Sequence, residues 1–183
     1  MRSALLWVCL LFAGCATIEE QTAPAGPIGD AFRLSGRVSI KYGAEAASGK
    51  ITWQHDVAGD DLLFSSPLGQ GMARIVRRDD LVSLTTSDQK VYQASDVETL
   101  TGQVLGWRLP FAGLPDWVRG RAAAGAPAQT RLDSAQRLAE LRQSGWLVEF
   151  LGYKGQNGPP ALLRMSREDV EIRLVIDQWQ AAP

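Results

Sequence analysis

Phe32-Arg33-Leu34-Ser35-Gly36-Arg37-Val38-Ser39-Ile40-Lys41-Tyr42 is the stretch that decides what kind of fold follows. Phe32, Leu34, Val38, Ile40 and Tyr42 alternate with Arg33, Ser35, Arg37, Ser39 and Lys41, the period of two that belongs to a half-buried β-strand. Gly36 interrupts the apolar side of that alternation and predicts a bend or bulge, the device that curls a sheet toward a barrel. Downstream, Ile51-Thr52-Trp53-Gln54-His55, Asp61 to Ser65, Arg74 to Arg77, Leu81 to Thr86 and Val91 to Gln93 read as further short strands joined by polar turns. Such a run describes an antiparallel meander and not an alternating α/β chain.

Helical signals begin at Ser95-Asp96-Val97-Glu98. Ser95 can cap the helix while Glu98 reaches back, Val97, Leu100 and Val104 share a face, and Gly106 can end it in the left-handed region. Trp107-Arg108-Leu109-Pro110 is an extended link. Leu114 to Val118 reads as a short second helix with Pro115 in its first turn and Gly120 beyond its end. Ala122 to Gln129 is a small-residue loop. From Asp133 to Gln143, Ala135, Leu138 and Leu141 fit a helical period better than a period of two. Trp146 to Tyr153 is extended with apolar side chains on both faces, so both faces are covered. After Pro159-Pro160, Ala161 to Met165 and then Val170 to Ile176 complete the strands, with Val170, Ile172, Leu174 and Ile176 inward, and Trp179 closes the domain.

Working outward to the N-terminus, Arg2 precedes an apolar run from Ala4 to Ala13, too short to span about 30 Å of hydrocarbon but suited to an export signal. Leu11-Phe12-Ala13-Gly14-Cys15-Ala16 resembles a bacterial lipoprotein signal, with Phe12 where that pattern usually has Leu. The resemblance implies that residues 1–14 are removed and that Cys15 carries diacylglycerol and an N-acyl chain. The alternative is an ordinary secretory signal with Cys15 an accidental neighbour. Pro24, Gly26, Pro27 and Gly29 mark residues 15–30 as a flexible tether, leaving 31–183 as one domain.

Composition narrows the chemistry. With Cys9 removed and Cys15 modified, an intramolecular disulfide or thiolate site is excluded, and a lone histidine, His55, excludes multi-His metal ligation. A formal net charge of −1 with interspersed signs gives no basic stripe, so nucleic acid is not expected as a partner. No Gly-x-Ser-x-Gly elbow accompanies His55, which is expected to point sideways from its strand. Asp60-Asp61 and Asp79-Asp80 fall in turn-like connections, where Asp is ordinary. Gly49-Lys50 lacks the spacing and the hydroxyl of a phosphate loop. The chain is therefore expected not to be an enzyme, and to use no cofactor and no metal.

Ser66-Pro67-Leu68-Gly69-Gln70-Gly71 is a tight connection in which Leu68 is the only large apolar residue. Leu68 either folds back onto the core or is held out at the tip.

The landmarks Gly36-Arg37, Trp53, Ser66-Pro67-Leu68-Gly69, Gly106, Leu109-Pro110, Trp117 with Gly120, Gly145-Trp146 and Ile176-Asp177-x-Trp179 together resemble the LolB family, the outer-membrane receptor of the bacterial lipoprotein-localisation pathway. The resemblance implies a mainly β fold with a few helices: an incomplete, unclosed antiparallel β-barrel with a helical lid over an apolar cavity. It also implies strand, not helix, across 133–143. It implies a membrane-insertion loop of Pro67, Leu68 and Gly69, with Leu68 protruding. A cavity in this fold would be lined by Val38, Ile40, Trp53, Phe64, Trp117, Trp146, Val148, Phe150, Ile172 and Leu174; for the tryptophans a plain core role is the alternative. The implied partners are a LolA-like periplasmic lipoprotein carrier, the acyl chains of cargo lipoproteins and outer-membrane lipid, with the protein a monomer. Ala16 after the lipidated cysteine, where Asp resembles an inner-membrane retention mark, implies the periplasmic face of the outer membrane. The rival classes are a structural or assembly lipoprotein with a solid core and, more distantly, a lipid-binding hydrolase.

Overall fold

The computed structural model describes residues 28–181. The signal over 1–14, the lipidation at Cys15 and most of the tether lie outside the described residues. Of the segment expected as tether, Ile28 packs against the core and Asp30 accepts hydrogen bonds from Arg119 Nη1 (3.0 Å) and Arg121 Nη2 (2.8 Å).

Eleven strands form one antiparallel sheet: β1 (Phe32–Tyr42), β2 (Glu45–Asp56), β3 (Gly59–Ser65), β4 (Gly71–Arg78), β5 (Leu81–Thr86), β6 (Val91–Ala94), β7 (Ala128–Leu132), β8 (Leu138–Gln143), β9 (Trp146–Tyr153), β10 (Pro160–Arg167) and β11 (Val170–Ala181). Their spatial order is β6-β5-β4-β3-β2-β1-β11-β10-β9-β8-β7, so β6 and β7 are free edges and the barrel is unclosed. The first and last strands meet at its centre. The register of β1 against β11 shifts between Ser35 and Gly36, and a Cβ on Gly36 would lie 2.1 Å from the carbonyl oxygen of Val175. The glycine is required by that close approach, and its bulge bends the sheet. Gly36→Ala is expected to cost about 1–3 kcal/mol, the usual penalty of overpacking, read as a lower denaturant midpoint at unchanged slope.

Two helices, α1 (Val97–Leu105) and α2 (Leu114–Val118), lie in the crossover from edge strand β6 to edge strand β7. They carry the chain across the concave face, so the lid is a consequence of connectivity. Asp96, not Ser95, caps α1: its carboxylate accepts from the Thr99 amide at 2.7 Å. The shift by one residue places Val97, Leu100 and Thr101 on the buried face. Gly106 ends the helix with φ +82°, as expected. Buried Thr101 donates to Val97 O and accepts from Leu109 N (3.0 Å), which ties the link after α1 to the helix. At α2, Trp117 Nε1 donates to Gln143 Oε1 at 2.8 Å, and the Gln143 amide donates to the carbonyls of Ala123 and Ala126. One buried amide thus fastens α2 and the loop after it to β8.

Two expectations need correction. The local helical period over Asp133–Gln143 misleads, and the strand that the family resemblance implied is present as β8, after a tight turn at Asp133–Arg137. A register shift between Arg131 and Leu132 sets Leu132 opposite Leu138 while Arg131 faces Glu140, so Ala139 is the extra residue of a bulge. The bulge brings Leu138 and Leu141 to the same buried face, and a spacing of three imitates a helix. The loop expected over Ala122–Gln129 runs into β7, an edge strand in which every residue is exposed and no apolar alternation announces a strand.

Candidate functional site

At one end of the half-barrel the sheet splays. Beyond the pair Lys50–Ser65, β3 leaves β2, while β2 runs on along β1 to Glu45 and Tyr42 with β11 still paired to the other side of β1, an arm whose β2 edge is free. Gly49 sits where they part; a Cβ there would be 2.2 Å from Ser65 O. In the gap lies an apolar pocket of about 160 Å³, lined by Val38, Ile40 and Ala47 of the arm, Phe64 and Met72 beside the β3–β4 loop, and Leu105 and Trp107 at the end of α1. Trp107 also borders a more polar cleft of about 450 Å³ between α1 and the β10–β11 turn at Arg167–Val170, which reaches Tyr42 and Trp146.

The β3–β4 loop stands at the rim of this pocket. Gly69 N donates to Ser66 O and Ser66 N to Gln70 O, both at 2.8 Å. Pro67 occupies the position that its fixed φ favours, and Gly69 takes φ +89°. The turn spends its hydrogen bonds internally and leaves Leu68 99% exposed. Of the two alternatives open from the sequence, Leu68 does not fold back onto the core.

Of the residues expected around a cavity, Val38, Ile40 and Phe64 meet at the mouth pocket. Trp53, Trp117, Val148, Phe150, Ile172 and Leu174 are instead buried in a continuous core, and Trp146 is buried with its edge on the polar cleft. The expected hollow beneath the helices is occupied: Leu100, Leu109, Phe111, Leu114, Trp117 and Val118 fill the concave face. The pocket that remains is smaller than the ~300–1,000 Å³ that encloses a drug-sized ligand.

The far end of the concave face holds a polar cluster that sequence reading assigned to a turn. Asp60 lies on β3 and is fully buried, so the turn assignment fails for Asp60-Asp61, whereas Asp79-Asp80 does form the β4–β5 turn. Its carboxylate accepts from Trp53 Nε1 (2.8 Å), His55 Nδ1 (2.7 Å) and Arg77 Nε and Nη2 (2.9 and 2.5 Å). Burial works to raise the Asp60 pKa, but the hydrogen bonds from His55, Trp53 and Arg77 outweigh it and the net direction is down. An ionised carboxylate only accepts, so His55 carries its proton on Nδ1. His55 therefore points inward and does not stand sideways. The signal that could have found the cluster is Trp53-x-His55 with Asp60-x-Leu62, which puts the polar residues on the apolar face of each strand.

Above it, Arg77 lies over the Phe111 ring (5.9 Å) and Arg119 over Phe32 (5.7 Å), both contacts reaching the lid segment. No nucleophile takes part in any of these contacts. Among the described residues no group of three or more His, Cys, Asp or Glu is placed to hold a metal ion, and no helix is long and apolar enough to cross a membrane.

Comparison with known proteins bears on this geometry. The family model described as outer membrane lipoprotein LolB matches residues 30–179. An outer-membrane lipoprotein LolB of Thiobacillus denitrificans is 43% identical over 183 residues, covering 99% of this chain and 96% of its own. One of Nitrosomonas europaea is 38% identical, covering 98% and 92%. Among solved structures, a LolA superfamily protein from Nitrosomonas europaea superposes with a TM-score of 0.51 at 8% identity, over 84% of this chain and 87% of that one. That level of identity speaks to the fold alone.

Proposed function

Because the chain belongs to the LolB family of outer membrane lipoproteins, we propose that it accepts lipoproteins from a LolA-like periplasmic carrier, shelters their acyl chains against its concave face, and releases them into the outer membrane. The observation that carries this reading is the pairing, at one rim, of an apolar pocket with a fully exposed leucine on a rigid turn. Cys15, with its diacylglycerol and N-acyl chain, anchors the protein to the periplasmic face, where it acts as a monomer without cofactor or catalysis. Pro67, Leu68 and Gly69 form the insertion loop.

Acyl chains favour apolar surroundings by about 0.8 kcal/mol per methylene, so cargo must pass between apolar sites without a long exposed step. A mouth pocket of about 160 Å³ holds only the leading part of a chain. The rest enters as α1, α2 and their link lift from the sheet and cargo methylenes replace lid side chains such as Leu109 and Phe111. The exchange of one apolar contact for another makes the opening inexpensive. With no energy source, direction comes from an affinity gradient, carrier below receptor and receptor below bilayer.

The test is transfer of a labelled lipoprotein from its periplasmic carrier to this protein. Transfer supports the reading, and retention on the carrier overturns it. The packed interior favours a second reading, a structural or assembly outer-membrane lipoprotein with a solid core and no lipid cargo. A fluorescent apolar probe separates the two. Under the proposed function it binds near one to one, and Ala47→Trp, an exposed substitution at the pocket wall, weakens binding about tenfold, or 1.4 kcal/mol. Under the alternative neither protein binds it.

A further inference from the structure

The convex face of the sheet carries a feature that cargo shelter does not use. Arg37 and Ser39 on β1, Ser48 and Lys50 on β2, and Arg173 on β11 wall a groove of about 400 Å³, and Pro67 of the insertion loop closes its rim. These strand positions face outward, and the loop reaches the groove at Pro67, the neighbour in sequence of the exposed Leu68.

The register concentrates charge there. Arg37 lies directly opposite Lys50, and Arg173 lies opposite Ser39, diagonal to Arg37. Like charges in those positions repel. Asp177 neutralises Arg37 through bonds of 3.1 and 2.9 Å. Glu171 lies opposite Lys41 and 3.9 Å from Arg164. Lys50 and Arg173 have no ion-pair partner among the described residues, and the Ser39 and Ser48 side chains between them offer hydroxyl donors. Two unneutralised cations and two hydroxyls around a shallow groove suit an anionic oxygen cluster. The groove is open and has no deeply buried donor, so it suits an anion delivered by a surface better than one held from solution.

We propose that this groove takes the phosphate of an anionic membrane glycerophospholipid while Leu68 enters the acyl layer beside it. The inference rests on the insertion-loop reading above and adds the headgroup that the loop seeks. A phospholipid presents both halves of the match, an anionic headgroup and apolar chains, at the spacing of neighbouring side chains. Each cation near an anionic surface strengthens contact about fivefold, and the pair roughly 30-fold together.

The experiment uses the full lipidated protein in vesicles, with Gln70→Cys carrying an environment-sensitive dye. Gln70 is exposed and takes part in the turn only through its backbone. In phosphatidylcholine vesicles Leu68 alone gives a baseline blue shift. Adding phosphatidylglycerol increases it, and high salt but not excess inorganic phosphate at matched ionic strength removes the increase. Lys50→Gln with Arg173→Gln is expected to abolish the increase, keep the baseline and leave the thermal midpoint unchanged. An increase that survives in the double variant overturns the groove and leaves the loop reading standing. Loss of the increase to inorganic phosphate reassigns the groove to a soluble anion. A dye that shifts in neither vesicle overturns groove and loop together.

Discussion

Leu68→Glu is expected to abolish delivery of cargo into a bilayer while acceptance from the carrier stays near its normal level. Leu68 is 99% exposed, so the substitution touches no packing and should change folding stability by no more than about 0.5 kcal/mol. Burying a leucine in an apolar layer gains roughly 1.5–3 kcal/mol, so its loss alone weakens membrane contact roughly 10- to 150-fold. A carboxylate at the same tip adds a desolvation penalty to that loss. The same gain is far too small to anchor a protein, for which two lipid signals are needed. Under the proposed function tip and anchor have separate tasks, and a variant in the tip should leave the protein on its membrane. Two assays separate the steps: transfer of a labelled lipoprotein from the carrier, and its release into vesicles per molecule bound. Normal release together with failed uptake would show that the tip meets the carrier and not the lipid.

The second large effect is on stability. Asp60→Ala removes the carboxylate shared by Trp53, His55 and Arg77. Breaking a buried ionic group typically costs about 3–5 kcal/mol. Here the Arg77 and His55 side chains keep 33% and 16% exposure and can recruit some water, so the lower end is expected. At about 2–4 °C per kcal/mol for a chain of this size, the thermal midpoint should fall by roughly 6–12 °C.

The pH dependence has a definite sign. Asp60 titrates below its ordinary value in the folded protein, so its contribution is complete above the unfolded carboxylate pKa, about 3.9, and is lost as pH falls through the folded value. The stability gap between wild type and Asp60→Ala should therefore be constant near neutrality and narrow in acid. A gap independent of pH down to full acid unfolding would mean that the carboxylate's charge contributes nothing.

The parts of this molecule that were legible beforehand are those where a single strand declares its own environment. Phe32–Tyr42 shows its inner face by alternation, and Gly36 shows its bulge by breaking it. The gaps have a common cause: the deciding interaction lies on another strand. Leu138 and Leu141 look helical because the bulge that aligns them is defined only against β7. β7 itself is held by pairing and buries nothing. Asp60 reads as a turn residue until Trp53, His55 and Arg77 are placed around it. The cations of the convex groove are scattered at 37, 50 and 173, so a net charge of −1 conceals them. The expectation of a hollow came from the family resemblance, and nothing in local pattern told lid side chains that fill a space from lining that surrounds one.

The pairing of β1 with β11 at the middle of the sheet has a kinetic consequence. Arg37 and Asp177, which bond across that seam, are 140 residues apart. Neither half of the sheet can dock on the other until the last strand has been released, because β11 bridges β1 and β10. A chain that emerges N-terminus first can pair β1 to β6 as a meander, and completes its architecture only once the trailing end is free. Distant partnering makes such closure slow, so the two halves of the sheet stay apart until the C-terminal strand arrives to join them.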